Sequence, residues 1–120
     1  MPEVPTDTEP LTPAVFYILL SLAEGPQHGY AIMQRVAQDT LNRIRFGPGT
    51  LYGTLKRLLA AGLVTEADTP ESDAELEGNT ERRRYYRLTD AGRQALTRES
   101  ERLERAVYLA RTRRLLPEGI

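Results

Sequence analysis

A chain of 120 residues with 40% hydrophobic content is long enough for one domain with a modest core and too apolar to be globally disordered. It has no cysteine, which excludes disulfides, thiolate chemistry and cysteine-based zinc sites and fits a reducing cytoplasm. Sixteen basic against 17 acidic residues leave a net charge of −1, a poor match to nucleic acid until the charges are placed along the chain.

Residues 1–9 are acidic and proline-rich without a basic leader, so they read as a flexible, solvated tail and not as a signal peptide. The longest apolar run, Ala14 to Leu20, is far too short to span a bilayer, and no membrane partner is expected. Thr12-Pro13 starts a first helix, with a hydroxyl cap followed by proline at the first helical position. It runs to about Ala23, where Gly25-Pro26 stops it. Its apolar residues point in nearly every direction, Val15, Ile18 and Leu22 one way and Phe16, Leu19, Leu20 and Ala23 others. A helix of this kind is buried on more than one side, which suggests a partner subunit beyond its own core.

His28-Gly29-Tyr30 opens a second helix to about Thr40. Tyr30, Met33, Ala37 and Leu41 form its apolar face with Val36 beside them, while Gln34, Arg35 and Gln38 face out. As the sole histidine, at a helix start, His28 reads as a local hydrogen-bonding residue and not as a pH switch. The alternation in Arg43-Ile-Arg-Phe46 predicts a very short strand.

Gly47-Pro48-Gly49 then starts a third helix. Leu51, Leu55, Leu58, Leu59 and Gly62 share one face of it, and Gly49, Thr50, Gly53, Lys56, Arg57 and Ala60 share the other, with Tyr52 on the flank. That second face is small, polar and cationic, so it can lie against something deep and anionic, as the DNA major groove is. Gly53 would let the backbone approach, while Lys56 and Arg57 could reach phosphates or guanine edges. Tyr52 could donate its hydroxyl to a phosphate or fill a gap beside the core, and Tyr30 has the same two readings.

Leu63 to Ala67 and Arg83 to Thr89 read as two strands of a hairpin with a long tip, about residues 68–81. Residues 66–81 carry seven acids and no base, whereas residues 35–57 carry five bases and one acid. Arg82, Arg83, Arg84 and Arg87 follow the acidic stretch. Such local asymmetry outweighs net charge, because screening makes phosphate attraction a short-range matter. Arg83 and Arg84 are candidate phosphate contacts, or else a solvated strand balancing the acidic tip. At least one of Tyr85 and Tyr86 belongs to the core by alternation. Thr89 caps a last helix to about Leu116. Leu96, Leu103 and Ala110 recur on it every seven residues with Val107 between, a thin coiled-coil-like seam that needs a partner. Its Arg98, Arg102 and Arg105 lie near Glu99, Glu101 and Glu104, which reads as intrahelical ion pairing.

The order is helix, helix, short strand, helix, two strands and a long helix. It predicts a mainly α fold with a small β-hairpin: a winged helix-turn-helix over residues 10–88, followed by a C-terminal dimerisation helix over residues 89–116. No catalytic constellation can be assembled with one histidine, no cysteine and neither HExxH nor GxSxG. The glycines at 47, 49 and 53 are not spaced as a dinucleotide fingerprint. No enzyme activity, metal or cofactor is therefore expected. The two remaining functions are a DNA-binding regulator and a winged-helix protein-interaction module that docks through its acidic loop.

Several segments together resemble the short class of PadR-type transcriptional regulators. These are Leu19-Leu-Ser-Leu-Ala-Glu-Gly-Pro26, His28-Gly-Tyr-Ala-Ile32, Gly47-Pro-Gly-Thr-Leu-Tyr-Gly-Thr-Leu-Lys-Arg-Leu58, Gly62-Leu-Val64 and Arg84-Tyr-Tyr-Arg-Leu-Thr-Asp-Ala-Gly92. The resemblance implies a homodimeric winged-helix repressor on an inverted-repeat operator, its last helix packed on the first and last helices of the partner. For this chain that interface would draw on Val15, Phe16, Leu19, Leu96, Leu103, Val107 and Ala110. DNA would be met by Tyr30, Gly49, Thr50, Tyr52, Gly53, Lys56, Arg57, Arg83 and Arg84. Some members release DNA on binding a phenolic or hydrophobic effector. The chain lacks tryptophan, so a tryptophan-based sandwich is unavailable to it, and Tyr17 and Tyr108 are the residues that could stack on such a compound. The acidic tip departs from a groove-binding wing, since phosphates would repel it.

Overall fold

The computed structural model describes residues 10–68 and 84–117. The tail at 1–9, Arg82, Arg83 and nearly all of the acidic tip lie outside the described residues.

Helix α1 spans Pro13–Ser21, capped by the Thr12 hydroxyl, which accepts from the Val15 N–H at 3.2 Å. Ile18 and Leu19 are fully buried, Val15 and Leu22 nearly so, while Phe16, Tyr17 and Leu20 are half-buried on its outer side. The helix ends two residues earlier than its composition predicts. Leu22 to Glu24 continue as a turn, with the Leu22 and Ala23 N–H groups bonded three residues back instead of four.

Strand β1, Gln27–His28, was not legible in the sequence. It pairs antiparallel with a later strand, β3 (Tyr85–Leu88), Gln27 opposite Tyr86 and His28 opposite Tyr85. Helix α2 follows at once over Gly29–Asp39, and His28 serves as its cap, with Nδ1 accepting from the Ala31 N–H at 3.1 Å. The buried row of α2 is Gly29, Ile32 and Val36. This corrects the expected apolar face: Tyr30 is 57% and Leu41 83% exposed, and Met33 and Ala37 are only partly covered.

Residues 43–46 form no strand. Leu41 and Asn42 take left-handed φ values of 54° and 66° and turn the chain. The Thr40 hydroxyl then holds it by accepting from the Ile44 N–H at 3.0 Å. The alternation in sequence reflects Ile44 and Phe46 leaning on the core while Arg43 and Arg45 face solvent.

Helix α3 spans Pro48–Ala60, with Pro48 at its first position after Gly47. Leu51, Leu55 and Leu58 are fully buried. Thr54 is buried among them because its hydroxyl donates to the Thr50 carbonyl at 2.9 Å, so its polarity is satisfied within the helix. Gly62, at φ 78°, takes the left-handed position after the cap that ends many helices.

Strands β2, Val64–Ala67, and β3, Tyr85–Leu88, pair antiparallel from Val64 opposite Leu88 to Ala67 opposite Tyr85. The sheet order is β1-β3-β2, so β3 is central and both of its tyrosines are buried. Tyr86 and Leu88 join the main core. Tyr85, on the other face, is covered edge-on by the His28 ring at 5.3 Å.

Helix α4 spans Asp90–Thr112, 23 residues or about 35 Å, four residues short of the expected end. Its capping Thr89 does three things. The hydroxyl accepts from the Gly92 N–H at 3.0 Å, it donates to the Gly62 carbonyl at 2.6 Å, and the backbone N–H donates to the Leu63 carbonyl at 3.1 Å. Ala95, Leu96 and Glu99 are buried. The Glu99 carboxylate accepts from the Leu11 N–H at 3.2 Å and pairs with Arg102 at 3.3 Å. Beyond Ser100 the helix leaves the body, giving a molecule 55 × 29 × 24 Å in extent.

Two predictions follow from this packing. A β-carbon at Gly92 would strike the Leu63 backbone carbonyl, whereas one at Gly53 would meet nothing. Gly92→Ala should therefore cost about 2–3 kcal/mol by overpacking, while Gly53→Ala should gain up to about 1 kcal/mol from helix propensity; thermal melts of the two variants check both signs. Burial raises the pKa of the Tyr86 phenol above its ordinary 10.0, with Tyr52 and Glu66 acting the same way and Arg84 opposing. Because the folded phenol ionises less readily than the unfolded one, its contribution to stability is intact below about pH 10 and lost above it. Urea midpoints measured from pH 7 to 11 should fall at the alkaline end, and less steeply in Tyr86→Phe.

Candidate nucleic-acid interface

The leucine rows of α3 fix which way its other face points. With Leu51, Leu55 and Leu58 inward, Gly49, Thr50, Lys56 and Ala60 are exposed and Gly53 and Arg57 half-exposed. Gly49 and Gly53 have open space where a β-carbon would stand. No described residue therefore requires glycine there, although glycine within a helix is destabilising by about 1 kcal/mol relative to alanine. Lys56 forms no ion pair among the described residues, and Arg57 reaches only the Thr54 hydroxyl, at 3.4 Å.

Tyr52 stands at the edge of this face, 45% exposed. Its ring and hydroxyl lie against Gly29 in the first turn of α2. Tyr30 is on the same helix end. Its hydroxyl accepts from the Gln34 amide at 3.1 Å, and its ring stacks parallel to His28 at 6.4 Å. Arg84, exposed at the start of β3, stands beside the Tyr86 hydroxyl as a hydrogen-bond donor. Arg83 lies outside the described residues.

Two cations that the sequence reading did not assign to a site, Arg43 and Arg45, are exposed on the connection leading into α3, with no ion pair among the described residues. Their signal was visible as charge in the 35–57 segment, but the alternation drew attention to a strand instead. Arg35 behaves differently, being held by Glu24 at 3.4 Å and Asp39 at 3.6 Å.

The residues expected at a subunit interface divide in two. Val15, Leu19 and Leu96 are buried in this subunit's own core and have almost no surface to offer a partner, because α1 packs against α2 and the first turns of α4. Leu103 and Val107, 43% and 38% exposed, lie on the projecting part of α4 with Ala110 partly covered. Phe16 is half-buried and meets Tyr17 edge-on at 5.3 Å. Tyr108 is exposed and lines a shallow open groove with Val107, Glu104 and Arg111. No helix among the described residues is long and apolar enough to cross a membrane.

Residues 18–98 match the model of the Transcriptional regulator PadR-like family. The chain is 39% identical over 92 residues to an uncharacterized 37.1 kDa protein in transposon TN4556 of Streptomyces fradiae. That match covers 77% of this chain but only 23% of the transposon protein. It is also 39% identical over 89 residues to the transcriptional regulator Rv3488 of Mycobacterium tuberculosis, covering 73% of each. Among solved structures it is similar to Bacillus subtilis PadR in complex with operator DNA. The TM-score is 0.60 and the identity 26%, over 74% of this chain and 46% of that one. A family match over two thirds of the sequence, spanning α3 and the strands that follow it, establishes that the chain belongs to the PadR-like family of transcriptional regulators.

Proposed function

We propose that this protein is a repressor that binds an inverted-repeat operator as a homodimer, with α3 in the major groove. The observation that carries this reading is the exposed face of α3. Two glycines there have open space where a β-carbon would stand, beside a lysine with no ion pair among the described residues, and close approach by an outside backbone is a physical reason for such a surface. Thr50, Lys56 and Arg57 would select the site, while Tyr30, Tyr52, Arg83 and Arg84 would hold phosphates on either side. Bacillus subtilis PadR, which shares the fold, was solved with operator DNA, and that supports the same partner here.

The homodimer is supported by Leu103 and Val107, apolar side chains on a helix that projects beyond its own core. A two-fold pair would set its recognition helices about 34 Å apart, one turn of B-DNA. Repression then needs only occupancy of the promoter. An effector of phenolic or hydrophobic character would stack on Tyr17 and Tyr108 near that seam. The competing reading, a protein-interaction module, predicts no sequence-selective DNA binding at 150 mM salt.

Duplexes enriched from a random pool by the purified protein supply the probe. Lys56→Ala with Arg57→Ala should lower affinity for the enriched duplex about a hundredfold, since each cation bound to a base edge or phosphate is worth about 1–3 kcal/mol, with the circular dichroism spectrum unchanged. Unchanged affinity would place the groove elsewhere. Leu103→Glu with Val107→Glu should yield a folded monomer by sedimentation and abolish operator binding, because both side chains are exposed in the single subunit and buried only in the pair.

A further inference from the structure

We infer that Gly29 is a positioning residue for DNA binding: by lacking a β-carbon it lets the Tyr52 phenol lie across the first turn of α2, which holds the Tyr52 hydroxyl for a DNA phosphate. The inference rests on the DNA-binding reading above and adds a residue to it.

Gly29 is not needed for its backbone. It is the first residue of α2 after the His28 cap, and it is not among the residues with left-handed φ. Nothing in the backbone there disfavours alanine, which is the better helix former. What excludes alanine is a side chain from another helix. A β-carbon built on Gly29 would fall on Oη, Cζ and Cε1 of Tyr52. Gly29 is buried by that contact, while Tyr52 itself remains 45% exposed.

The contact fixes an otherwise free side chain. The Tyr52 hydroxyl donates to no group among the described residues, unlike the hydroxyls of Thr40 and Thr54, which donate to carbonyls of their own helices. Tyr52 also lies close enough to Tyr86 to influence its ionisation, and Arg84 does too. Helix α2, helix α3 and the central strand thus converge on one phenol at the edge of the cationic face. The Tyr52 phenol, 45% exposed at that edge, is a donor without an acceptor among the described residues. A phosphate oxygen supplies one, and a hydrogen bond to a charged group is stronger than one between neutral groups.

Since the atoms that a β-carbon would strike are the far end of an exposed side chain, Gly29→Ala should displace Tyr52 and leave the fold standing. Binding is read by fluorescence anisotropy on the enriched duplex and on a scrambled duplex for the wild type, Tyr52→Phe, Gly29→Ala and the double variant. Tyr52→Phe should weaken both complexes about tenfold, the size of one hydrogen bond to a charged group. The slope against salt should stay unchanged, because no cation is removed. Gly29→Ala should match that loss with a melting temperature equal to or above the wild type, and the double variant should lose no more than the larger single loss.

Gly29→Ala binding like the wild type, or single losses that multiply in the double variant, would overturn the positioning role while leaving the regulator reading intact. Absence of wild-type binding to any duplex overturns the regulator reading, and the inference with it. If Gly29→Ala melts lower, Tyr52→Ala is added to remove the collision. A recovered melting temperature supports the contact, and an unrecovered one refutes it.

Discussion

The wing and the long helix are placed by one junction, where the chain leaving α3 meets the chain entering α4. Thr89 donates its hydroxyl proton to Gly62 and its N–H to Leu63, and it caps α4 through Gly92. Gly92 in turn lets the first turn of α4 lie directly on the Leu63 carbonyl. Few backbone groups at the end of α3 and the start of α4 are left without partners there, so the junction is both close and satisfied. Its consequence is geometric. Helix α3, strand β2 and the axis of α4 all radiate from residues 62–64 and 89–92, where those bonds tie them together. A buried glycine against a carbonyl is a rigid contact, since neither side has a rotatable atom to yield.

Charge is distributed unevenly over this rigid frame. Arg35 and Arg102 are neutralised by nearby carboxylates, which removes them as distant competitors for an anion. Arg43, Arg45 and Lys56 carry no such partner among the described residues. Exposed ion pairs add little stability. Their effect here is instead to set Arg35 and Arg102 apart from the cations around the entry to α3 and along its outer face, which keep their charge available. The net charge of −1 therefore says little about what an approaching polyanion meets within a Debye length of about 8 Å at physiological ionic strength.

Much of this was legible in the sequence where one helix or strand decides its own faces. The leucines of α3, the Thr12 and Thr89 caps and the β2-β3 hairpin all follow from local periodicity and capping chemistry. The failures share a cause. Two residues of β1 have no period to read, and the charge alternation of 43–46 imitated a strand that the Leu41-Asn42 reversal prevents. On α2 the large residues Tyr30 and Leu41 suggested an apolar face. The core instead chose Ile32 and Val36, because the short β1 connection and the Gly29 contact with α3 set the rotation of that helix. Val15, Leu19 and Leu96 read as interface residues because sequence alone cannot say which apolar side is filled from within, and here the subunit's own core fills theirs. Gly29 and Gly92 look like ordinary glycines until the neighbouring element is in place.

The separation of roles along α4 follows from where its burial stops. Its first turns are fixed by Leu96, Ala95 and Glu99, and Glu99 also ties down Leu11 just ahead of α1. From Glu101 onward, the side chains outside Leu109 and Ala110 are exposed, so intrasubunit packing contributes little to the helix there. A 23-residue helix is long enough to be marginally stable alone, but most helical stability in proteins comes from packing an apolar face. The projecting half therefore gains most from a partner. Whatever covers Leu103 and Val107 is transmitted through a stiff rod to the Thr89 junction, and from there to α3. The same helix that would pair two subunits would also set the distance and angle at which their α3 helices meet a duplex.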